Sequence, residues 1–501
     1  MTNAATVPWR HGERDRDRVA LRGGGIDWTY GRFRERSGAV AGTLRTDGIG
    51  PGDRVLLLGP SVPEFAAAYF GVLAAGAVVV AMNPMATAPE ISYVIQDSGC
   101  SVALAWEDCA EQTEVACGGE VPFRLLGLGL EGLPDAVAVA APESRDAHDT
   151  AVILYTSGTT GRPKGAELTQ ANLVAVATIF TESLFELTPE DRVGTALPLS
   201  HVFGGSAVMG SALRSGASLS LLAPFDPAAA LAMIEKDRLT VFAGVPTMYN
   251  AIFHEAEGKD VDFSNLRLCA CGGASLPEEL MKSFEARFGT AVIEGYGLTE
   301  TCGCAVSNRM DRPRKIGTVG IPAPGVSVRV IDAAGNDLLV DEVGEVLIAG
   351  PNVMKGYRGL PDATAETIRD GWVHTGDLGA IDVHGYLRIV DRIKDLIIRG
   401  GYNVYPREVE EVLYQHPDIV EVAVFGVDDE RFGEEVAAVA ALRDGAPEDV
   451  TAIRAWAKER LSPYKVPRLW QFVDTLPKGN TGKILKRAID RSQFAAAAIS
   501  T

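Results

Sequence analysis

A short stretch rich in glycine, hydroxyl side chains and lysine is the first part of the chain that could do chemistry. It runs from Ile153 to Leu168 and has the sequence ILYTSGTTGRPKGAEL. Glycines let backbone N–H groups approach an anion and Lys164 adds a positive charge, so this composition favours phosphate binding. The spacing G-x-x-G-x-x-K differs from the G-x-x-x-x-G-K-[ST] of a P-loop. We therefore predict a phosphate loop of another kind. The alternative is a flexible surface linker, which a buried strand running directly into the stretch disfavours.

A carboxylate next to a hydroxyl group forms the second candidate. Thr299 and Glu300 follow a glycine-flanked tyrosine in the sequence VIEGYGLTETCG. Because Mg²⁺ in proteins takes one or two carboxylates together with phosphate oxygens, this pair suits a magnesium–phosphate site. Threonine followed by glutamate is also common where a helix begins, which is the structural alternative for the pair taken alone.

Three further polar residues complete the chemically interesting set. Asp377, in a predicted Thr-Gly-Asp turn, could accept hydrogen bonds from ribose hydroxyls, and Arg392 could donate to a ribose or a phosphate. Lys483 follows a glycine in LPKGNTGKILKR. Taken singly, these residues would be a turn aspartate, a surface arginine and part of an exposed basic tail. Only their combination indicates a nucleotide site.

Strand-like runs alternate with helical patterns through most of the chain and must position these residues. Apolar strands such as RVLLLG, and helices predicted to begin at Pro63 and Pro406, indicate α/β layers with largely parallel sheets. The segment 325–351 has short alternating strands and Asp/Gly turns, which predicts a β-rich subdomain. Near Asp391 the pattern changes to that of a separate domain of about 110 residues. The predicted fold class is α/β: a large N-terminal domain of layered α/β subdomains plus a β-rich subdomain, and a small α+β C-terminal domain.

Composition narrows the class of protein further. A net charge of −19 over 501 residues disfavours a nucleic-acid partner. The N-terminus MTNAATVPWRHGERDRDR lacks the apolar core of a signal peptide, and the apolar run FAAAYFGVLAAGAVVVAMNP predicts helix, turn and strand. We expect a cytoplasmic protein with no stable membrane insertion. The seven cysteines include two Cys-x-Cys pairs, but no companion ligands at zinc spacing, so buried thiols are favoured over a metal site.

Seven motifs follow one another in a recognisable order. They are YTSGTTGRPKG, LPLSHVFG, GGASLP, GYGLTE, HTGD, DRIKDLIIRGGYNVYP and PKGNTGKILK. In this combination the chain resembles the adenylate-forming superfamily, and within it the acyl-CoA synthetase and fatty-acid–CoA ligase branch. The resemblance covers nearly the whole length, from about Trp28 to Arg487.

The resemblance implies a role for each candidate residue. The loop over the β- and γ-phosphates of ATP would consist of Thr156, Ser157, Gly158, Thr159, Thr160, Gly161 and Lys164. The adenine and the acyl pocket would be framed by Gly272, Gly273, Ala274, Tyr296 and Gly297. Thr299 would hold the α-phosphate and Glu300 the Mg²⁺. Asp377 and Arg392 would bind the ribose, and Lys483 would bridge the substrate carboxylate and the α-phosphate.

The resemblance also implies two half-reactions served by one moving domain. Residues 1–391 would form the N-terminal domain, 392–394 the hinge and 395–501 the mobile C-terminal domain. This domain would swing about Lys394 and present Gly400 and Gly401 to a pantetheine tunnel. Without the resemblance, Lys394 would be an ordinary surface lysine in a charged strand.

The residues near the expected acyl site favour an acid without an α-amino group. In relatives that activate amino acids, an aspartate in the LPLSHVFG region pairs with the ammonium, whereas this chain has His201. In related CoA ligases this histidine gates the acyl site, and a polar core histidine is the alternative. The apolar residues expected nearby favour an aliphatic fatty acid over a dicarboxylate, with an aryl acid as the alternative: Val202, Phe203, Val245, Met248 and Ala274.

We expect ATP, Mg²⁺ and coenzyme A as the small molecules of an ATP-dependent acyl-CoA ligase that releases pyrophosphate. A phosphopantetheinyl carrier protein is the alternative acceptor, although nothing between Gly356 and Asp391 looks like the insertion that often accompanies it. A catalytically inactive scaffold would be expected to lack Lys164, Glu300 or Lys483, and all three are present.

Overall fold

The computed structural model describes residues 3–130, 137–156, 162–479, 482–491 and 493–494. They form four β-sheets with helices packed on them. Among these residues, no helix combines the length and the apolar character needed to cross a membrane. The α/β class, the large N-terminal part and the small C-terminal part predicted from the sequence are confirmed.

A seven-stranded sheet carries the beginning of the predicted phosphate loop. From one edge to the other its strands are Gly356–Tyr357, Lys164–Thr169, Thr150–Thr156, Val78–Met82, Arg54–Leu58, Val102–Trp106 and Phe123–Leu126. The last five run parallel to one another, while the first two pair in antiparallel fashion. Their continuous apolar sequences are typical of strands buried on both faces of a parallel sheet. All five parallel strands therefore end at the same edge, where Thr156 lies.

A nine-stranded sheet positions the other half of the candidate site. Its order is Ile321–Pro322, Val306–Ser307, Ala291–Tyr296, Leu268–Cys271, Val241–Gly244, Arg192–Thr195, Ser218–Leu221, Val19–Gly23 and Ile26–Thr29. The run from Ala291–Tyr296 to Val19–Gly23 is parallel. Cys269 and Cys271 lie on one face of their strand and pack in the same apolar cluster, as the alternation predicted. The described residues contain no group of three or more potential metal ligands.

Helices cover these sheets, and several begin at a proline. The α-helices are Thr6–Arg14, Tyr30–Thr46, Pro63–Ala74, Ala88–Ser98, Ala110–Cys117, Gln170–Ile179, Gly210–Ser215, Pro227–Lys236, Pro246–Glu255, Glu278–Phe288, Pro361–Thr367, Pro406–Leu413 and Val450–Lys458. Two π-helical segments, Phe180–Leu184 and Phe203–Met209, and five 3₁₀ segments, Glu107–Cys109, Leu128–Leu130, Thr299–Thr301, Ile393–Asp395 and Lys486–Ala488, complete the set. Proline suits the first turn of a helix because its missing N–H would have no partner there. The predicted starts at Pro63 and Pro406 are confirmed.

Two smaller sheets complete the chain. The β-rich subdomain contains Ser327–Ile331, Gly344–Ala349, Ile368–Arg369, Trp372–Ile381 and Leu387–Arg392. The C-terminal sheet contains Ile397–Arg399, Tyr402–Val404, Ile419–Asp429, Gly433–Leu442 and Leu469–Phe472. Two apolar clusters are built only from residues of the C-terminal part, so this part has its own core. The predicted hinge lies between the two sheets, where Lys394 belongs to the 3₁₀ turn Ile393–Asp395 and not to a charged strand, the alternative for this residue. The swing itself stays a prediction.

Candidate active site

The predicted phosphate loop begins where a central strand of the seven-stranded sheet ends. Thr156 is the last residue of the strand Thr150–Thr156, and Lys164 is the first residue of the antiparallel strand that follows. Five predicted loop residues lie outside the described part of the chain: Ser157, Gly158, Thr159, Thr160 and Gly161. The ammonium of Lys164 lies 5.1 Å from the ring centroid of Tyr357, a cation–π distance.

Tyr357 connects this lysine to the predicted magnesium ligand. Glu300 lies in the 3₁₀ turn Thr299–Thr301, directly after the strand Ala291–Tyr296. The Tyr357 hydroxyl donates a hydrogen bond of 2.7 Å to Oε1 of Glu300. Burial raises the pKa of Tyr357, and the charge of Glu300 raises it further, so this hydroxyl stays protonated and remains a donor. The structure thus places Lys164 at the ring of Tyr357 and Glu300 at its hydroxyl, and the sequence did not indicate this tyrosine.

The two predicted ribose ligands pair with each other across adjacent strands. Asp377 and Arg392 face one another in the register, and Nε of Arg392 lies 2.8 Å from Oδ1 of Asp377. The Tyr296 hydroxyl donates to Oδ2 of Asp377 at 2.5 Å. Burial lowers the pKa of the Arg392 guanidinium, but the negative charge of Asp377 and other neighbours raises it by more, so the net shift is upward. The prediction of a turn at Asp377 was wrong. This residue lies within the strand Trp372–Ile381, just after Gly376, whose φ is +67°.

Lys483 reaches this pair from the C-terminal part of the chain. The residue is exposed to solvent, yet protein atoms crowd around its ammonium. This crowding lowers the pKa of its ammonium, and the positive charge of Arg392 lowers it further, while Asp377 acts in the opposite direction. A hydrogen bond of 3.0 Å, donated by the Thr247 hydroxyl to the carbonyl of Gly482, joins the two parts of the chain beside it. Lys483 therefore interacts with Arg392 and Asp377, the two predicted ribose ligands, and the residue before it is held by Thr247.

His201 also interacts with Lys483, as a neutral imidazole. Burial lowers its pKa to about 4, and the charge of Lys483 contributes in the same direction. Its Nδ1 lies 3.3 Å from the backbone N–H of Phe203, which assigns the ring proton to Nε2. An imidazole that stays neutral at physiological pH cannot hold a substrate ammonium or carboxylate by charge.

Small residues let the walls of the predicted acyl pocket approach one another closely. A Cβ atom on Gly272 would lie 3.3 Å from the ring of Phe203, and one on Gly273, where φ is +81°, would lie 3.5 Å from Val245. A Cβ on Gly297 would lie 2.6 Å from the carbonyl carbon of Gly303, so only glycine fits there. Ala274 continues the Gly272–Gly273 loop after the strand Leu268–Cys271. The side chains that these glycines approach most closely, Phe203 and Val245, are apolar.

Glu294 is a second residue that the sequence did not indicate. It lies in the strand Ala291–Tyr296, is 2 % exposed, and accepts a hydrogen bond of 3.3 Å from the backbone N–H of Leu276. Burial raises its pKa to about 7, and the charge of Arg407, in the helix Pro406–Leu413 of the C-terminal part, counteracts this rise. A lone buried glutamate in an apolar strand is the signal that could have found it.

The remaining predicted residues lie in the C-terminal part. Gly400 and Gly401 form the turn between the strands Ile397–Arg399 and Tyr402–Val404, with φ of +57° and +85°. The backbone N–H of Gly400 donates to the carbonyl of Phe432 within the same part. In this arrangement of the chain, Lys483 interacts electrostatically with Asp377 and Arg392.

Comparison with known proteins gives a consistent family assignment. The profile of the AMP-binding enzyme family matches residues 8–358, and that of the AMP-binding enzyme C-terminal domain matches residues 408–483. A feruloyl-CoA synthase from Amycolatopsis sp is 40% identical over 94% of this chain and 95% of its own length. A long-chain-fatty-acid–CoA ligase from Bacillus subtilis is 35% identical over 90% of this chain and 87% of its own length.

A solved structure matches the whole fold. ATP-bound MatB from Rhodopseudomonas palustris is 33% identical and superposes with a TM-score of 0.90, covering 99% of this chain and 100% of its own. The apo structure of the same protein, with the same identity and coverage, superposes with a TM-score of 0.77. The arrangement seen here is thus more similar to that of the ATP-bound relative.

Proposed function

Since the chain belongs to the family of AMP-binding enzymes and is an AMP-forming acyl-CoA ligase, we propose that it activates an apolar monocarboxylic acid, with an arylpropenoic acid as the first choice. ATP and coenzyme A are the cosubstrates, and a carboxylic acid is the acyl donor. The observation that supports the assignment of roles is the position of Lys483 beside Asp377, Arg392 and His201.

The first half-reaction needs charge neutralisation more than it needs a base. A carboxylate is already a nucleophile, so the protein must bring two anions together and stabilise the charge that develops on the α-phosphorus. In our proposal Lys483 bridges the acid and the α-phosphate, and Thr299 adds a hydroxyl donor. Asp377 and Arg392, fixed by their ion pair, would accept from and donate to the ribose.

The pyrophosphate end of ATP would lie over the residues around Tyr357. We assign the β- and γ-phosphates to Lys164 and to the loop that begins at Thr156. The donor set fits Mg²⁺, because a single carboxylate held in place by the Tyr357 hydroxyl leaves the other positions to phosphate oxygens and water. Bound there by Glu300, the ion would neutralise phosphate charge.

The second half-reaction requires a different surface beside the acyl-adenylate. We propose that the C-terminal domain, 395–501, turns about Lys394 and replaces Lys483 by the turn at Gly400 and Gly401. Positive φ at Gly400 and Gly401 favours glycine, and because glycine has no side chain the turn offers a bare backbone surface past which a pantetheine arm can run. One site can then serve two transition states in sequence.

The class of acid follows from the walls of the pocket and from the relatives. Neutral His201 and the apolar side chains of Phe203 and Val245 offer no charge to an α-amino group or a second carboxylate. The relatives at 40% identity are named feruloyl-CoA synthase, which supports an arylpropenoic acid. The fatty acid predicted from the sequence is the second candidate, supported by relatives at 35% identity that are named long-chain-fatty-acid–CoA ligases.

The test is carboxylate-dependent ATP–pyrophosphate exchange over a panel of acids, followed by detection of the thioester with CoA and with a holo carrier protein. Ferulate, cinnamate, benzoate, octanoate, palmitate, succinate and phenylalanine cover the alternatives. We expect exchange with the arylpropenoic acids, and a thioester with CoA. Exchange with fatty acids alone would replace the first choice by the second, and exchange with succinate or phenylalanine would contradict the assignment of an apolar monocarboxylic acid.

A further inference from the structure

A polar cavity of about 330 Å³ lies outside the proposed active site. Its lining includes the first residues of three parallel strands of the seven-stranded sheet, Arg54, Val78 and Thr150. Thr156, which opens the phosphate loop, lies at the other end of its strand. The cavity therefore lies toward the opposite edge of the sheet from the cleft that we assign to ATP.

Positive charge dominates the lining of this cavity. The cationic side chains are Arg54, Arg145, Lys355 and Arg358, and the acidic ones are Asp149 and Glu167. Four cations and two carboxylates leave an excess of two positive charges. The whole chain has a net charge of −19, so a local excess of this sign is a distinct feature of the molecule.

The ion pairs show which charges remain uncompensated. Arg145 pairs with Asp149 at 2.9 Å and Arg358 pairs with Glu167 at 3.1 Å, which uses both carboxylates of the lining. Lys355 is exposed and has no ion-pair partner within the described part of the chain.

Arg54 is the second cation of the lining without a carboxylate partner among the described residues. It donates instead to the backbone carbonyls of Gly52, Ser98 and Gly99, at 3.1, 3.1 and 2.6 Å. Arg358 also donates to the carbonyl of Ser98, at 2.9 Å. The carbonyls of Ser98 and Gly99, at the end of the helix Ala88–Ser98, thus accept hydrogen bonds from guanidinium groups, which offset their repulsion of an anion in the cavity.

One buried donor of the lining has no partner. Nε of Arg145 is shielded from solvent and makes no hydrogen bond within the described residues. The side chain of Arg145 is only 12% exposed. An unsatisfied donor on a charged group is costly to bury, and an oxyanion oxygen is the partner that a guanidinium N–H binds most strongly.

We propose that this cavity is a binding site for a phosphate or diphosphate oxyanion, held by Arg54, Arg145 and Lys355. The two uncompensated cations, Arg54 and Lys355, supply the charge, and the unpartnered Nε of Arg145 supplies a hydrogen-bond donor. This site is separate from the ligase reaction. If the oxyanion proposal is wrong, the proposed function is unaffected, and if the proposed function is wrong, the oxyanion proposal is unaffected.

The test measures binding of inorganic phosphate and pyrophosphate by titration calorimetry. The full chain is first saturated with a non-hydrolysable ATP analogue, so that the proposed ATP site is already filled. We expect one saturable site, weakened severalfold by Lys355→Gln and roughly tenfold or more by the charge reversal Lys355→Glu. Lys236→Glu, a change at an exposed lysine of the helix Pro227–Lys236, which does not line the cavity, is the matched control. Absence of saturable binding, or equal weakening by the control, would overturn the proposal.

A second measurement locates the ion. Crystals soaked in tungstate should show an anomalous peak within hydrogen-bond distance of Arg145 and Lys355. A peak elsewhere, or a peak here without binding in solution, which would mean an adventitious ion only, would also overturn the proposal. Arg145→Gln tests the buried donor, with circular dichroism to verify folding, and a folded variant that binds phosphate as the wild type does would contradict the role of Nε.

Discussion

Lys483 is the residue on which the two half-reactions should differ. It belongs to the C-terminal part, yet its charge acts on Arg392, Asp377 and His201 of the candidate site. We expect Lys483→Ala to slow acid-dependent ATP–pyrophosphate exchange by about 10²-fold or more, because the repulsion between carboxylate and α-phosphate is no longer offset. The rate of thioester formation from a supplied acyl-adenylate should stay within about threefold of the wild type, since the bond between the acid and the α-phosphate is already formed in that substrate.

A lysine from the same domain provides the control for this substitution. Lys458→Ala changes an exposed residue at the end of the helix Val450–Lys458 and should alter neither half-reaction. If Lys483→Ala slowed both half-reactions equally, the bridging role would be contradicted. Stopped-flow or quench measurements of each step separately would decide this.

Tyr357 should affect the Mg²⁺ dependence of the reaction, because it acts through Glu300. Tyr357→Phe removes the hydroxyl that donates to Oε1 of Glu300 but keeps the ring beside Lys164. A hydrogen bond to a charged group contributes about 1.5–3 kcal/mol, so we expect the Mg²⁺ concentration needed for half-maximal exchange to rise roughly tenfold. Tyr386→Phe, which removes a hydroxyl that donates to a backbone carbonyl at an exposed position, is the control. An unchanged Mg²⁺ dependence in Tyr357→Phe would contradict the positioning role.

At the scale of elements, the sequence predicted what local patterns determine. Proline at a helix start and unbroken apolar strands act within a few residues, so the helices at Pro63 and Pro406 and the parallel layers could be predicted. Pairings between distant strands could not. The turn predicted at Asp377 is a strand position because Leu387–Arg392 pairs with it. Tyr357 reaches Glu300 only because Gly356–Tyr357 pairs with Lys164–Thr169, and no short-range pattern reports that contact.

Glu294, in the strand Ala291–Tyr296, lowers the free energy of unfolding by an amount that depends on pH. Burial raises the pKa of this carboxyl to about 7 from its ordinary value of 4.5, so the folded state favours the protonated form. The folded chain therefore loses stability as the pH rises from the unfolded pKa through the folded one, and the full cost is present above pH 7. This cost is on the order of 3 kcal/mol. We expect Glu294→Gln to raise the melting temperature relative to the wild type at pH 8, and to do so much less at pH 5.

The comparison with the wild type at each pH removes the contribution of the other titrating groups. Glu111→Gln replaces an exposed glutamate in the helix Ala110–Cys117 and should give a difference that does not depend on pH. Differential scanning calorimetry between pH 5 and 8 gives both curves. A difference between Glu294→Gln and wild type that is constant over this range would show that the carboxyl ionises normally in the folded chain.

At the scale of the whole molecule, the candidate site exists because two separately packed parts meet. Lys483 from one part acts on Asp377 and Arg392 from the other, but the order of these residues along the chain does not determine how the parts are oriented. The structure joins them through the hydrogen bond from Thr247 to the Gly482 carbonyl, one residue before Lys483. Contacts of this kind depend on the relative position of two domains, and they are the part of the site that sequence patterns leave open.

Gly482 tests this arrangement directly. Its φ is +78°, and a Cβ atom there would lie 3.0 Å from Oγ1 of Thr247 and 3.3 Å from Val245. Gly482→Ala should therefore disfavour the arrangement that places Lys483 in the cleft and slow adenylation roughly tenfold, while conversion of a supplied acyl-adenylate to the thioester is nearly unchanged. Gly445 has a φ of +79° and open space at the Cβ position, so Gly445→Ala imposes the same backbone strain, about 1–2 kcal/mol, without the contact. If Gly445→Ala slowed adenylation as much as Gly482→Ala, strain within the C-terminal domain, and not its position against Thr247, would be the cause.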